Sequence, residues 1–132
     1  MKYLLDTCVL SDFINGDPGT LKKLKSLNPS LICLSTLTVF EIYYGLSRYT
    51  DKVPQFKLVL ESFLKGVTIV PFEWEDAEAA AKIKVLLSKT GKEISSYDIL
   101  MAGIAKRRGF ILVTSNTSSF ENILALKIEN WR

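Results

Sequence analysis

The sequence contains no histidine among its 132 residues. This absence excludes histidine-based acid and base chemistry, nucleophilic triads that depend on histidine, and zinc held by histidine. The only cysteines are Cys8 and Cys33, which lack CxxC spacing and are too few for a structural zinc site. For a hydrolytic enzyme, this composition leaves carboxylates and a bound metal ion as the chemical means.

Long apolar runs are also missing. The first run, YLL, ends at Asp6 and is too short for a signal peptide, and no run approaches the length of a membrane-spanning helix. With two cysteines and no export signal, we expect reduced thiols and a cytoplasmic location. The net charge of +3 is too small to indicate a nucleic-acid partner by itself. The length predicts one domain, residues 1–132.

Short apolar runs alternate with amphipathic stretches along the chain. The runs predict strands at residues 2–5, 31–34, 68–70 and 110–113, with ALKIENW as a candidate fifth. The stretches between them predict helices at residues 9–15, 36–48, 54–64, 75–88 and 95–108, with a short one ending at residue 27. This alternation predicts an α/β fold, an α/β/α sandwich with a central parallel sheet of four to five strands.

Three acidic residues stand where folding does not need them. Asp6 ends the first apolar run, and Asp98 opens the helical segment DILMAGIA. Glu41 interrupts LTVFEIYYGL and is the only charged residue between Lys25 and Arg48. An unpaired charge is expensive to bury, so an acid kept in so apolar a stretch suggests a function.

The predicted topology brings these acids to one edge of the sheet. Sites in open α/β sheets gather at the carboxyl ends of the strands. Asp6 follows the first strand, Asn116 follows the fourth, and Asp98 lies in the first turn of the helix that leads to the fourth. Glu41 is about one and a half turns into the helix after the second strand, within reach of the same edge. Oxygen ligands alone suit Mg²⁺ or Mn²⁺, so we expect a metal site here.

Each of these residues also has a purely local explanation. Asp6 could cap the following helix, and Ser95 with Asp98 fits the S-x-x-D pattern of a capping box. Glu41 could lie on the solvated face of an amphipathic helix, and Asn116 could be a turn residue. The functional interpretation therefore depends on the convergence of all four at one edge.

Four segments of the chain resemble the PIN-domain family, specifically its VapC-type toxin ribonucleases: MKYLLDTCVLSDFI, STLTVFEIYYGL, ISSYDILMAGIAKRRGFILVTSNTSSFENI and LKIENW. The resemblance covers nearly the whole chain and implies an endoribonuclease that depends on Mg²⁺ or Mn²⁺. It carries the family's acidic cluster onto Asp6, Glu41 and Asp98, and its fourth position onto Asn116. By this match Asp6 and Asp98 are the main metal ligands. Glu41 binds metal through water or orients the attacking water, and Asn116 completes the outer shell.

The resemblance also implies partners. Family members cut structured RNA, often tRNA or ribosomal RNA, form homodimers, and are held inactive by a cognate VapB-type antitoxin. We expect the helices within residues 11–27 and 39–64 to form the groove that receives the antitoxin. The cations assigned to RNA backbone contacts are one beyond Glu41 and three in the early helices: Arg48, Lys22, Lys23 and Lys25. By contrast, we expect the basic cluster at residues 106–108 to be structural, because it ends the helix that Asp98 begins.

Two further expectations concern individual side chains. The family usually has asparagine where this chain has Cys8, so we expect a missing hydrogen bond near the metal site and a buried, inert thiol. Large aromatic residues at helical spacing usually pack inside, so we expect Phe40, Tyr43 and Tyr44 to lie mostly in the core, with a partner surface as the alternative.

Alternative functions remain open at the level of the sequence. A PIN-like domain that binds RNA or protein without cutting it predicts a broken acidic set, although Cys8 leaves room for impaired catalysis. A phosphoacceptor receiver module needs paired acids after the first strand and an acceptor aspartate after the third. Neither pattern is present, since Asp6 stands alone and the third strand runs into PFEWED. A DxD phosphatase fails in the same way, because Cys8 occupies the second acidic position.

Overall fold

The computed structural model describes residues 1–48 and 53–132. The strands are β1 (Tyr3–Leu5), β2 (Ile32–Ser35), β3 (Thr68–Val70), β4 (Ile111–Val113) and β5 (Ile128–Glu129). The α-helices are α1 (Thr7–Ile14), α2 (Pro18–Ser26), α3 (Thr36–Arg48), α4 (Val53–Gly66), α5 (Trp74–Lys89) and α6 (Ser96–Arg108). Short 3₁₀ turns occupy Pro29–Leu31 and Thr117–Ser119. None of the helices described is both long and apolar enough to cross a membrane.

The strands form one parallel sheet in the order β3-β2-β1-β4-β5. This arrangement confirms the predicted α/β sandwich, and the segment ALKIENW supplies the fifth strand. β1 lies at the centre, and its register pairs Leu5 with Val113 of β4. The residues that follow β1 and β4 are therefore neighbours at the carboxyl edge of the sheet.

Alternate strand residues pack on opposite faces of the sheet, as the period of a strand requires. Leu4 and Leu112 join the core beneath α5 and α6. Leu5, Leu34 and Val113 join the core beneath α1, α3 and α4. Because both faces are covered, the strands are apolar without alternation, which is the pattern that the sequence showed.

Helices α5 and α6 pack closely, and a charge cluster holds one end of the pair. A Cβ on Gly103 would come within 2.8 Å of the Ala80 Cβ, so glycine permits this approach. Asp76, in the first turn of α5, accepts hydrogen bonds from Arg107 Nε at 2.6 Å and from an Arg108 terminal nitrogen at 3.0 Å. The basic end of α6 therefore has the structural role that its position predicted.

Three aromatic side chains of α3 are exposed, so the expectation that they lie mostly in the core is wrong. The exposed fractions are 67% for Phe40, 40% for Tyr43 and 49% for Tyr44. The inward face of α3 is occupied by Ile42 and Leu46, and the helical period turns the three aromatic residues away from that face. Phe40 and Tyr44 instead stack on each other, with ring centroids 6.3 Å apart.

Candidate active site

Asp6 lies directly after the central strand and begins α1. Its Oδ1 accepts a hydrogen bond from the Thr7 backbone nitrogen at 2.8 Å, and its Oδ2 accepts one from Thr114 Oγ1 at 2.9 Å. The side chain therefore does cap the helix, as the local explanation required. A carboxylate offers about four lone-pair sites, however, so these two hydrogen bonds and a weak one from Cys8 Sγ at 3.9 Å leave acceptor capacity at the edge of the sheet.

Thr114 is a buried partner of Asp6 that sequence reasoning missed. Its hydroxyl donates to Asp6 and accepts a hydrogen bond from the Asn116 backbone nitrogen at 3.1 Å. The register of β1 and β4 explains the contact, because each residue directly follows its strand. Asn116 begins the 3₁₀ turn Thr117–Ser119 and is exposed at the same edge. The sequence shows a polar residue directly after each of these two apolar strands. The contact between the two residues could be predicted only if the pairing of the strands was known.

Asp98 lies in the first turn of α6, which Ser95 caps by accepting a hydrogen bond from the Asp98 backbone nitrogen at 3.2 Å. Burial raises the pKa of the Asp98 carboxyl, the hydrogen bond with Ser95 lowers it in part, and the negative charge of Asp6 raises it again. The effect of Asp6 indicates that the two carboxylates are near enough to repel each other. The structure thus places the first and third of the predicted acids within electrostatic reach of each other.

Glu41 is half-buried and lies in the wall of a cavity of about 370 Å³ between α1, α3 and α4. Thr7, which follows Asp6, lines the same cavity. This cavity overlaps part of the groove predicted within residues 11–27 and 39–64, of which residues 49–52 lie outside the described residues. Its lining residues lie within 7–15, 41–46 and 56–60 and do not include α2, so the antitoxin groove stays a prediction. A larger cavity of about 510 Å³ lies between α5, α6 and residues 122–124, and no acid lines it.

Tyr97 links the elements that carry the three acids, and it too was missed from the sequence. Its hydroxyl oxygen lies 2.8 Å from Thr7 Oγ1 and 2.9 Å from Thr38 Oγ1. Burial raises the pKa of this phenol, the two threonine hydrogen bonds lower it, and the carboxylates of Asp6 and Glu41 raise it further. One hydroxyl group is therefore within electrostatic reach of both acids.

The acids at this edge lack cationic partners. In the part of the chain that the structure describes, none of Asp6, Glu41 and Asp98 forms an ion pair, whereas the buried acids Asp12 and Asp76 each pair with arginine. The side chains are not gathered into a ready-made cluster, since within residues 1–48 and 53–132 no three histidine, cysteine, aspartate or glutamate side chains could together hold a metal ion. The donor set still fits a hard cation, because its atoms are oxygens and a cation would relieve the repulsion between Asp6 and Asp98.

Comparison with known proteins identifies the family. A family model for the PIN domain matches residues 3–124. The chain belongs to the PIN-domain family. It is 36% identical to ribonuclease VapC2 of Haemophilus influenzae, over 99% of this chain and 98% of that protein. The predicted family and function, a VapC-type ribonuclease toxin, are confirmed at this level.

Another relative and two solved structures match this chain over nearly its full length. The tRNA(fMet)-specific endonuclease VapC of Shigella flexneri is 30% identical over 99% of this chain and 98% of that protein. The fold matches VapBC2 from Rickettsia felis, solved bound to a DNA fragment from their promoter, with a TM-score of 0.91, 28% identity and full coverage of both chains. DNA-bound VapBC from Salmonella typhimurium matches with a TM-score of 0.88 and 28% identity, covering 100% of this chain and 99% of that one.

Cys8 of this PIN domain is half-buried, not buried as expected, and it makes weak hydrogen bonds on the inner side of Asp6. Its Sγ accepts from the Ser115 backbone nitrogen at 3.4 Å, lies 3.5 Å from Thr114 Oγ1 and donates to Asp6 Oδ2 at 3.9 Å. The hydrogen bond expected to be missing is therefore replaced by longer sulfur contacts. The thiol is free.

The cations predicted to contact RNA are distributed unevenly around this PIN domain. Lys23 forms a 3.9 Å ion pair with a carboxylate of β5 and lies 5.9 Å from the Tyr3 ring centroid. Lys23 is therefore engaged with β5 and with the first residue of β1, and its contact with RNA stays a prediction. Lys22 and Lys25 are exposed. Arg48 is exposed at the end of α3, with its guanidinium 5.5 Å from the ring centroid of Tyr44.

Proposed function

We propose that this ribonuclease cleaves RNA phosphodiester bonds at the carboxyl edge of its sheet, with Asp6, Glu41, Asp98 and Asn116 as the catalytic set. One observation carries the proposal. Three acids from separate parts of the chain lie at this edge without cationic partners among residues 1–48 and 53–132, while two buried acids elsewhere, Asp12 and Asp76, pair with arginine. Acids that are left uncompensated in a folded protein are candidates for binding a cation.

In this proposal Asp6 and Asp98 hold Mg²⁺ or Mn²⁺, because their carboxylates already interact. When bound, such a cation supplies a water of lowered pKa and stabilises charge on the departing oxygen. Thr114 fixes the orientation of the Asp6 carboxylate through its hydrogen bond. Glu41 orients the attacking water from the neighbouring cavity wall, and Asn116 contributes an outer hydrogen bond.

Structured RNA is the proposed substrate class, with tRNA as the first candidate. The relative from Shigella flexneri, named for its specificity toward tRNA(fMet), motivates this choice. Arg48, Lys22 and Lys25 are proposed contacts for the RNA backbone because they are exposed cations. Lys23 is the weakest of the predicted contacts, because it is engaged with β5 and Tyr3.

A VapB-type antitoxin is the proposed partner in the cell. Related chains were solved as VapBC from Rickettsia felis and Salmonella typhimurium. The cavity of about 370 Å³ is the proposed groove, because it combines apolar walls with Glu41 at its border. An antitoxin segment bound there would lie directly beside the catalytic acids.

We further propose that residues 1–132 form one PIN domain that acts as a homodimer in the cytoplasm. The family match to residues 3–124 supports the single domain. The exposed, stacked pair of Phe40 and Tyr44 supports a protein contact, because large exposed apolar groups mark interaction surfaces. Light scattering of the purified chain and of a Phe40→Ser variant would test this surface, with a shift toward monomer expected for the variant.

Cleavage of purified tRNA and total cellular RNA tests the central proposal. We expect discrete cuts that need Mg²⁺ or Mn²⁺, stop with chelator, and leave a 5′-phosphate and a 3′-hydroxyl. Asp6→Asn should abolish the cuts and retain the fold by circular dichroism. A cyclic 2′,3′-phosphate product, or cleavage that resists chelator, would contradict the metal-dependent mechanism. A folded protein that binds RNA but never cuts it would favour the non-cutting PIN-like domain.

A further inference from the structure

A hydroxyl network joins the first turns of three helices at the acidic edge. Thr7 is the first residue of α1, Thr38 is the third residue of α3, and Tyr97 is the second residue of α6. The Tyr97 hydroxyl lies 2.8 Å from the first threonine hydroxyl and 2.9 Å from the second. A single side chain thus connects three helices that are otherwise distant in sequence, since the bonded partners are 90 and 59 positions apart.

Each member of the network is rigidly placed by its neighbours. Thr38 is fully buried, and its hydroxyl also donates to the Met101 sulfur at 3.7 Å. The ring of Tyr97 packs against the core beneath α5 and α6. Since no buried side-chain polar atom of the described residues lacks a partner, the two threonine hydroxyls and the phenol satisfy one another. Removing one hydroxyl therefore leaves an imperfectly satisfied group at the junction of the three helices.

The positions in the network are next to the proposed catalytic acids. Thr7 follows Asp6, Tyr97 precedes Asp98, and Thr38 is one helical turn before Glu41 on the same face of α3. A fixed separation of the three first turns consequently fixes the separation of the three acids.

We propose that Tyr97 is a positioning residue for RNA cleavage, whose hydroxyl group holds α1, α3 and α6 at the distances that let Asp6, Glu41 and Asp98 act together. This inference rests on the proposed function, because it assigns Tyr97 a role only through those acids. The phenol does not contact the reacting atoms in this role. It reduces the rearrangement that the acids need in order to bind a cation together, given that they are not clustered beforehand.

Substitution of Tyr97 by phenylalanine tests the proposal, because it removes the hydroxyl and retains the ring. We expect kcat for RNA cleavage to fall roughly 10- to 100-fold with KM for RNA within about twofold, as for other partners of metal ligands. Binding of Mn²⁺ in the absence of RNA, measured by calorimetry, should weaken by a factor of about 10. A purely structural role would lower the melting temperature but leave kcat and Mn²⁺ affinity unchanged at temperatures where the variant is folded.

Tyr43→Phe is the matched control. It removes a tyrosine hydroxyl from α3, but that hydroxyl donates to Glu61 Oε2 at 3.2 Å, which is not a member of the network. We expect neither kcat nor Mn²⁺ affinity to change in this variant. Thr7→Val and Thr38→Val remove the other two hydroxyl groups of the network and retain the tyrosine. These variants keep the test valid if Tyr97→Phe fails to fold.

A double-mutant cycle separates coupling from independent losses. If Tyr97 and Thr38 act through one hydrogen bond, the pair Tyr97→Phe and Thr38→Val should lose little more than either variant alone. Thr38→Ser, which restores a hydroxyl, should recover most of the activity lost in Thr38→Val. Fully additive losses, or a Tyr97→Phe variant with unchanged kcat and Mn²⁺ affinity, would overturn the positioning role. If Asp6→Asn also cleaved normally, the proposed function itself would fail, so the two failures are distinguishable.

Discussion

The two ends of helix α6 each place an aspartate beside charged groups, with opposite results. At the first turn, Asp98 is half-buried next to the carboxylate of Asp6, and both burial and that neighbour raise its pKa. At the last turn, Arg107 and Arg108 hold Asp76 of the adjacent helix. Burial alone would raise the pKa of Asp76, but hydrogen bonds from the two arginines outweigh burial and lower the pKa to about 2.

The difference between the two ends lies in the partners, since the residue type is the same. Asp76 is fully buried, and its hydrogen bonds favour its negative charge, including the capping-box hydrogen bond from the Glu73 backbone nitrogen at 2.8 Å. The acid pair at the other end receives hydrogen bonds only from neutral donors, such as Thr114 and the Thr7 backbone. A protein can keep such a pair ionised only at a cost, which a bound cation would remove.

The largest expected effect comes from removing one charge of the uncompensated pair. Asp98→Asn should lower RNA cleavage by roughly 10²- to 10³-fold, because it removes a proposed cation ligand. The melting temperature should stay the same or rise, since the variant relieves the repulsion with Asp6. Gel-based cleavage of tRNA and thermal unfolding by circular dichroism would measure both quantities. If the variant is less stable but fully active, Asp98 only caps α6, and the two ends of the helix do not differ in function.

The next largest effect concerns Asp76, at the end of α6 where two arginines balance the charge of the carboxylate. Asp76→Asn should reduce the free energy of unfolding by about 2 kcal/mol, because it weakens charge-assisted hydrogen bonds to two arginines. Cleavage should be unchanged at temperatures where the variant is folded. Urea unfolding at neutral pH would measure the loss, with the exposed acid of the same helix, Glu78→Gln, as a control that should change little.

The same variant has a predicted pH signature. The pKa of Asp76 is lowered from 3.8 to about 2 in the folded protein, so its contribution to stability is fully present above pH 4. The contribution is lost as the pH falls from about 4 to about 2. Asp76→Asn should therefore flatten the acid limb of the stability curve in this range. An acid limb as steep as that of the unchanged protein would mean that other carboxylates determine it.

The same contrast shows which features of the structure could be predicted from the sequence. The helices, the strands and the placement of Asp6, Glu41 and Asp98 near one edge followed from local patterns, because strand ends and helix starts are encoded within a few residues. The hydrogen bonds that organise the edge were not predictable in this way. Thr114 and Asp6 are 108 residues apart, and Tyr97 and Thr7 are 90 apart, so their contacts depend on the strand order and helix packing of the whole domain.

One side-chain environment was not predicted and another was misjudged, for related reasons. In PFEWED, Asp76 looks like any other acid, and only the packing of α6 against α5 reveals that it is buried between arginines. Phe40 and Tyr44 have the composition of a core, but the inward face of α3 is already filled by aliphatic residues. Burial is decided by which helical face meets the sheet, and apolar character alone does not specify that face.

The smallest expected effect tests whether the neutral hydrogen-bond donors around Asp6 influence the rate of RNA cleavage. Cys8→Asn replaces a weak sulfur contact with Asp6, now 3.9 Å long, by an amide that can donate a normal hydrogen bond. We expect cleavage to rise by about threefold, since the gain is a fraction of one hydrogen bond. Cys8→Ala, which removes the contact, should slow cleavage by a similar factor in single-turnover assays. If the asparagine variant is slower than the unchanged chain, the looser sulfur contact is the better fit to this acid pair, and a more strongly hydrogen-bonded Asp6 holds its cation less well.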